Sequence, residues 1–260
     1  MTMECTLPYV ISKKNNKVVT LTLNRGDKFN PLSEDMMDAF KVELEKIALD
    51  KDLRAVVLSA DGNAFCAGHD LKEMRSEPKE NYYKKLFKQC SSMMLLMQKL
   101  PQPIIARVHG IATAAGCQLV SMCDLAVASK EAKFAVSGVN YGLFCSTPSV
   151  GLSRNIARKN AMEMLLTGDF IDADTAKDWG LINRVVEQKK LDDEVQKLLN
   201  SILKKPAVAI SMGKQLFYQQ IEMGINSAYE LASETMAKNM MKDETLEGIQ
   251  AFIEKRSPKW

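Results

Sequence analysis

Residues 18–24 alternate apolar and polar positions in the register of a half-buried strand. The polar run 24–30 then reads as a turn into a helix that starts near Pro31-Leu32-Ser33-Glu34 and continues to Asp50. Residues 54–59 predict a second strand, followed by a loop at 62–68 and a charged helical stretch at 71–100. A third strand is expected at 103–108, a helix from Ala115, and short strands at 125–128 and 133–136. From Asn155 the pattern turns helical, with helices expected at 157–168, 172–180, 191–204, 207–223 and 225–255. This succession predicts an α/β fold, with a mixed core at 1–205 and a helical region at 206–260 divided near Pro206. Met93, Met94 and Met97, like Met236, Met240 and Met241, sit at helical spacing and read as core or subunit interface. Apolar stripes on more than one face of the tail predict oligomer contacts.

Composition narrows the class without naming a chemistry. A chain of 260 residues can bury a large core. Its six cysteines are scattered, with no CxxC pair and only two histidines beside them, so they read as reduced and mostly buried, and no metal site is expected. Residues 1–19 mix Glu4, Pro8 and a Lys/Asn cluster, and lack both an apolar h-region and an Arg/Ser-rich amphipathic pattern, so a cytoplasmic protein is expected. No window approaches the roughly 18 apolar residues that cross a bilayer, so no membrane partner is expected. A net charge of +3 on dispersed lysines gives no footprint for nucleic acid, but leaves room for a local cationic site facing a phosphate-bearing ligand.

The stretch 104–129 carries the most chemistry. A buried strand passes through His109-Gly110-Ile111-Ala112-Thr113-Ala114-Ala115-Gly116 into a helix beginning Cys117-Gln118-Leu119. Small residues there let backbone come close to a neighbour, and the start of the helix aims unpaired N–H groups and the positive end of its dipole at one point. Such a point suits a developing oxyanion. Taken alone, the same residues serve equally well for close helix–strand packing.

Three further strings occur in order around it: Leu23-Asn24-Arg25-Gly26-Asp27-Lys28-Phe29-Asn30-Pro31-Leu32, Ala64-Phe65-Cys66-Ala67-Gly68-His69-Asp70-Leu71, and Thr167-Gly168-Asp169 with Gly180-Leu181. With Ala251-Phe252-Ile253-Glu254-Lys255-Arg256 at the end, the chain resembles the crotonase (enoyl-CoA hydratase/isomerase) superfamily over nearly its whole length. The resemblance implies a spiral of repeated ββα units, a helical C-terminal region used for trimerisation, and a homotrimer or dimer of trimers. It implies a coenzyme A thioester as substrate or ligand and no other cofactor. Carried over by position, the oxyanion donors are the backbone N–H groups of His69 and Ala115. The resemblance places coenzyme A on the loop Cys66, Ala67, Gly68, Asp70 and Leu71, with Lys28, and with Phe252 and Lys255 reaching from a neighbouring subunit. Where this chain has Ala115 the family usually has glycine, and alanine fits there only with a negative φ.

The chain departs from the family at the two glutamates that hold and activate water in a hydratase. Their positions are occupied by Gln118 and Gly138. An amide can hydrogen-bond a water but cannot take its proton, and glycine offers only backbone. The other candidates near the acyl group are His69, whose ordinary pKa makes it a conceivable proton shuttle, and Asp70, Asn140, Tyr141, Cys145 and Ser146. His109 reads as packed or hydrogen-bonded. The expected function is an acyl-CoA thioester enzyme, nominally a 2-enoyl-CoA hydratase; the alternatives are an acyl-CoA decarboxylase, which needs enolate stabilisation more than a base, and a non-catalytic acyl-CoA-binding protein. If the rest of the site is intact, Gln118→Glu with Gly138→Glu is expected to restore hydration.

Overall fold

The computed structural model describes residues 7–260. A large sheet and a small sheet share the strands in a repeating manner. The first hairpin, β1 (Val10–Asn15) and β2 (Val18–Leu23), is antiparallel and turns at Asn16, whose φ of 51° suits a two-residue loop. Helix α1 (Glu34–Leu49) follows, N-capped by Ser33, whose hydroxyl accepts the Met36 N–H. Next come β3 (Ala55–Ala60), β4 (Ala64–Cys66), α2 (Leu71–Ser76) and α3 (Glu80–Lys99). The unit then repeats as β5 (Ile104–Val108), β6 (Ile111–Thr113) and α4 (Ala115–Met122). It begins again with β7 (Leu125–Ser129) and β8 (Lys133–Ala135). In each unit the first strand enters the large sheet, ordered β1-β2-β3-β5-β7 and then one later strand, and the second enters the small sheet behind it. Pairing from β2 to β7 is parallel. This is the ββα spiral.

Helices α5 (Ser146–Leu152) and α6 (Arg158–Thr167) lead to the short β9 (Ile171–Asp172), which closes the small sheet beside β8. Helix α7 (Ala173–Asp178) and strand β10 (Arg184–Val186) follow, the latter completing the large sheet. Helices α8 (Leu191–Leu203), α9 (Ala207–Gln220), α10 (Ile225–Met240) and α11 (Asp243–Ile253) end the chain.

Period-2 alternation divides the core. On β3, Val56 and Leu58 face the main cluster with Met36, Phe40 and Met93, while Ala55 and Val57 face Leu191, Val195 and Leu199 of α8. The large sheet is therefore covered on both faces, which is why its strands read as continuous apolar runs. Helix α9 is tied to this core by a buried ion pair. The Lys214 ammonium donates to Asp124 Oδ2 (2.7 Å), Met97 O (3.0 Å) and Gln102 O (3.0 Å), and Tyr218 donates to Asp124 Oδ1 (2.9 Å).

The structure differs from the sequence pattern where elements are short. Strands β4, β6, β9 and β10 and helix α5 carry too few residues for a periodic signal, and β1, six residues long, is exposed at all but Val10 and so shows no apolar alternation. The expected helix at 71–100 is broken between Ser76 and Glu80, because Pro78 forces Glu77 out of helical backbone (φ −130°, ψ 76°). The expected helix at 225–255 is two helices that meet at Met241 and Lys242. Cys66, Cys90, Cys117, Cys123 and Cys145 are buried and unpaired; Cys5 lies outside the described residues. No helix among the described residues is long and apolar enough to cross a membrane.

Candidate active site

Two loops meet at the front of α4. The first leaves β4 as Cys66-Ala67-Gly68-His69, and the second leaves β6 as Thr113-Ala114-Ala115. A Cβ added at Gly68 would lie 2.9 Å from Ala114 Cβ and 3.2 Å from Ala115 N, and one added at Gly116 would lie 2.1 Å from Cys66 O. Only glycine permits either approach, and Gly68 also holds φ at +90°. The turn at 25–32 braces the first loop from behind: Ala67 N–H donates to Phe29 O (3.0 Å) and Leu32 N–H to Gly68 O (2.7 Å). Asn30, fully buried, ties the same turn to Asp61 O (2.8 Å) and Ala64 O (3.0 Å) through its side-chain amide.

The amides of His69 and Ala115 donate to no other group among the described residues. Ala115 is the first residue of α4, so its N–H is one of the four that a helix leaves unsatisfied. It does not have positive φ, which meets the condition that alanine imposes there. The strain falls one residue earlier, on Ala114, with φ 50° and ψ −120°. Both amide-bearing residues line a cavity of about 240 Å³.

The cavity wall is apolar. Ala67, Leu71, Met74, Phe87, Leu143, Phe144 and Pro148 make up most of it, together with the Tyr141 ring. Ser137, Tyr141, Cys145, Ser146 and Thr147 bring the hydroxyl and thiol groups on it, and no carboxylate or ammonium lines it. The His69 ring packs edge-on against Phe87 (centroids 5.5 Å apart), and its Nε2 is buried without a hydrogen-bond partner. Burial pushes its pKa down to about 4, so the imidazole is neutral at physiological pH. Burial likewise raises the Cys145 thiol, which accepts the Gly138 N–H at 3.3 Å.

The two positions that would carry hydratase glutamates are not merely substituted. Gln118 is buried within α4 away from the cavity lining, with its Oε1 unpartnered. Gly138 does line the cavity, but a Cβ there would lie 2.4 Å from Leu143 O and 2.8 Å from Cys145 Sγ. A side chain at 138 therefore requires the Leu143 carbonyl to move, a condition that the expected restoration of hydration by glutamates at these positions did not include.

The remaining sequence candidates separate into those near the site and those remote from it. Ala67 and Leu71 line the cavity. Cys66 is buried beneath the loop, its pKa pushed up to about 12 by burial. Asp70 caps α2, its carboxylate accepting the N–H groups of Lys72 (2.9 Å) and Glu73 (3.1 Å). Lys28 is exposed at the end of a short 3-10 turn, Gly26–Lys28, in the segment that braces the Cys66–Leu71 loop. Phe252 and Lys255 lie at the end of α11, exposed and off the cavity of their own chain. Asn140 points to Gly168 O (3.4 Å), and His109 Nε2 pairs with Gly62 O (2.8 Å). Sequence reasoning missed Met74 and Phe87. Both lie in polar helical stretches whose inward face only the tertiary packing defines.

A ββα spiral carrying paired free amides over an apolar cavity defines an acyl-CoA enzyme of the crotonase class, and residues 13–260 match the family Enoyl-CoA hydratase/isomerase, to which this chain belongs. It is 41% identical over 253 residues to the enoyl-CoA hydratase domain-containing protein 3, mitochondrial, of Xenopus laevis, covering 97% of this chain and 86% of that one. Among solved structures it is similar to the human enoyl-CoA hydratase domain-containing protein 3 (40% identity, TM-score 0.94, 97% and 100% of the two chains covered). It is also similar to an enoyl-CoA hydratase of Mycobacterium smegmatis (59% identity, TM-score 0.97, 98% and 99% covered). The cytoplasmic placement expected from residues 1–19 is overturned by these comparisons, since the Xenopus and human relatives are named as mitochondrial.

Proposed function

We propose that the cavity takes the acyl group of a coenzyme A thioester, with the carbonyl oxygen accepting the His69 and Ala115 N–H groups. The chemistry that follows is enolate stabilisation without a carboxylate pair. The observation that carries this reading is the juxtaposition of two unsatisfied amides, from separate loops, at Gly68. Two preorganised donors at a desolvated point stabilise charge that develops on oxygen. With no carboxylate on the wall, 2-enoyl-CoA hydration is slow or absent. Decarboxylation of a 2-carboxyacyl-CoA makes the smallest demand on such a site. The bond to the carboxylate breaks, its electron pair becomes the enolate held by the two amides, carbon dioxide leaves, and water returns a proton to the α carbon.

The test uses Ala115→Pro in the full-length protein. Proline has no N–H and is tolerated at the first position of a helix, so one donor is lost; because Ala115 is fully buried and Ala114 before it is at φ 50°, circular dichroism and the melting temperature first establish that the variant folds. In the folded variant, turnover across a panel of 2-carboxyacyl-CoAs and 2-enoyl-CoAs should fall roughly 10²–10³-fold. Full activity in the folded variant would refute the role of Ala115. A second reading, acyl-CoA binding without turnover, is favoured by the absence of any charged group on the wall. It predicts thioester affinity with no product from any member of the panel.

The helical region 206–260 supports assembly into a homotrimer or dimer of trimers. Ile225, Tyr229, Met236, Met241, Phe252 and Ile253 present large apolar surface to solvent in the single chain. In such an assembly Phe252 and Lys255 of one subunit would reach coenzyme A on the next.

A further inference from the structure

The cavity wall carries a hydroxyl pair that thioester binding leaves without a role. Thr113 Oγ1 and Ser137 Oγ lie 2.9 Å apart, and either can donate. Strand pairing fixes them: Thr113 stands opposite Ala135 where β6 meets β8, and Ala114 N–H donates to Ala135 O (3.0 Å). Thr113 is thus two residues before the Ala115 donor. Ser137 is two residues after Ala135 and one before Gly138, where a hydratase carries its second glutamate. Ser137 lines the cavity and Thr113 does not. Ser146 and Thr147 line it from the first turn of α5, away from the oxyanion strand, and Ser146 donates to Phe144 O (3.3 Å).

Two hydroxyls joined by one hydrogen bond spend only one of their two protons in it. With Thr113 as donor, the Ser137 proton is left to point into the cavity. Resting on the decarboxylation reading above, we propose that Ser137 is a positioning residue that holds the water returning the proton to the α carbon, and that Thr113 sets the direction of its hydroxyl. The enolate electron pair forms the new C–H bond and one O–H bond of the water breaks. The hydroxide so formed accepts a hydrogen bond from Ser137, then leaves and combines with the released carbon dioxide as bicarbonate. A hydrogen bond to an oxygen that is gaining charge strengthens as the step proceeds. A serine hydroxyl is no base, so the pair serves an enolate already formed by loss of carbon dioxide and not the activation of water for hydration. Because Thr113 belongs to the strand that leads into the oxyanion loop, the proton arrives at one face of the enolate.

Decarboxylation of 2-carboxypropanoyl-CoA by the full-length protein in deuterium oxide reads this directly, because the product carries one hydrogen and one deuterium on its α carbon and is chiral there. Deuterium NMR of the product acid, as an ester of a chiral alcohol, gives the ratio of the two faces whatever step limits kcat. The wild-type protein should give one enantiomer in large excess, and Ser137→Ala should lower the ratio roughly 10–100-fold. Thr113→Val should lower it too, and Ser137→Thr, which keeps the hydroxyl, should retain it. Circular dichroism establishes that each variant folds, and Thr113→Val carries the test if Ser137→Ala does not fold. A racemic wild-type product, or a Ser137→Ala product as enantiopure as wild type, would overturn the inference and leave decarboxylation standing. Loss of chirality in Cys145→Ser but not in Ser137→Ala would assign proton return to the thiol and overturn it as well. No carbon dioxide from any 2-carboxyacyl-CoA would overturn the decarboxylation reading itself, and the inference with it.

Discussion

Replacing Gly138 by alanine tests the claim that backbone, not a missing carboxyl group, closes the second hydratase position. The added Cβ would stand 2.4 Å from Leu143 O. An ordinary C···O contact is about 3.3 Å, so the Leu143 carbonyl must retreat by about 1 Å. It cannot do so freely. Leu143 N–H is bonded to Gly138 O (3.1 Å), and Gly138 N–H to Cys145 Sγ (3.3 Å), so the retreat strains both and carries the Tyr141–Cys145 wall outward. Overpacking of this kind costs about 1–3 kcal/mol, which for a chain of this size lowers the melting temperature by roughly 2–10 °C. Gly213→Ala, where an added Cβ meets nothing within 4 Å in the interior of α9, is the matched control and should be neutral or stabilising. Differential scanning calorimetry of both variants, with acyl-CoA titration of each, measures the effect. Gly138→Ala should be the destabilised variant and should bind acyl-CoA more weakly. By the same reasoning Gln118→Glu/Gly138→Glu should be less stable still and should not hydrate crotonyl-CoA. A Gly138→Ala protein with wild-type melting temperature and affinity, or a double variant that hydrates, would refute the reasoning.

Two other outcomes follow from groups buried around the site. His69 has a folded pKa of about 4 against an ordinary value of 6.5, so between these values the unfolded chain binds more protons than the native one. Stability on this account is complete above about pH 6.5, falls by roughly 3 kcal/mol as the pH drops to about 4, and does not depend on His69 below that. With only two histidines in the chain, imidazole NMR can follow both directly, and a His69 signal titrating near pH 6.5 would contradict its burial. Lys214→Met should cost about 3–5 kcal/mol by leaving the Asp124 carboxylate buried without its cation, measured by urea unfolding. A change under 1 kcal/mol would mean that the pair is hydrated in solution.

What the sequence determined by itself is the part that periodicity and residue chemistry encode locally. The apolar runs within 54–59 and 103–108 predicted strands, and the structure covers both faces of them, with α8 on one side and the main cluster on the other. The small residues from Gly110 to Gly116 marked a close approach, and the ordered strings around them marked the family. The same reading found the absence of glutamate at 118 and 138, since an absent carboxyl group needs no coordinates. Only the tertiary structure decided what that absence means. Whether position 138 is an empty place for a carboxylate or a filled one depends on Leu143 O, five residues away along a loop whose path no local propensity sets. The neutrality of His69 depends on its burial against Phe87. The condition on Ala115 is met because the positive φ of the turn into α4 falls on Ala114, one residue before the donor, which only the path of the chain decides.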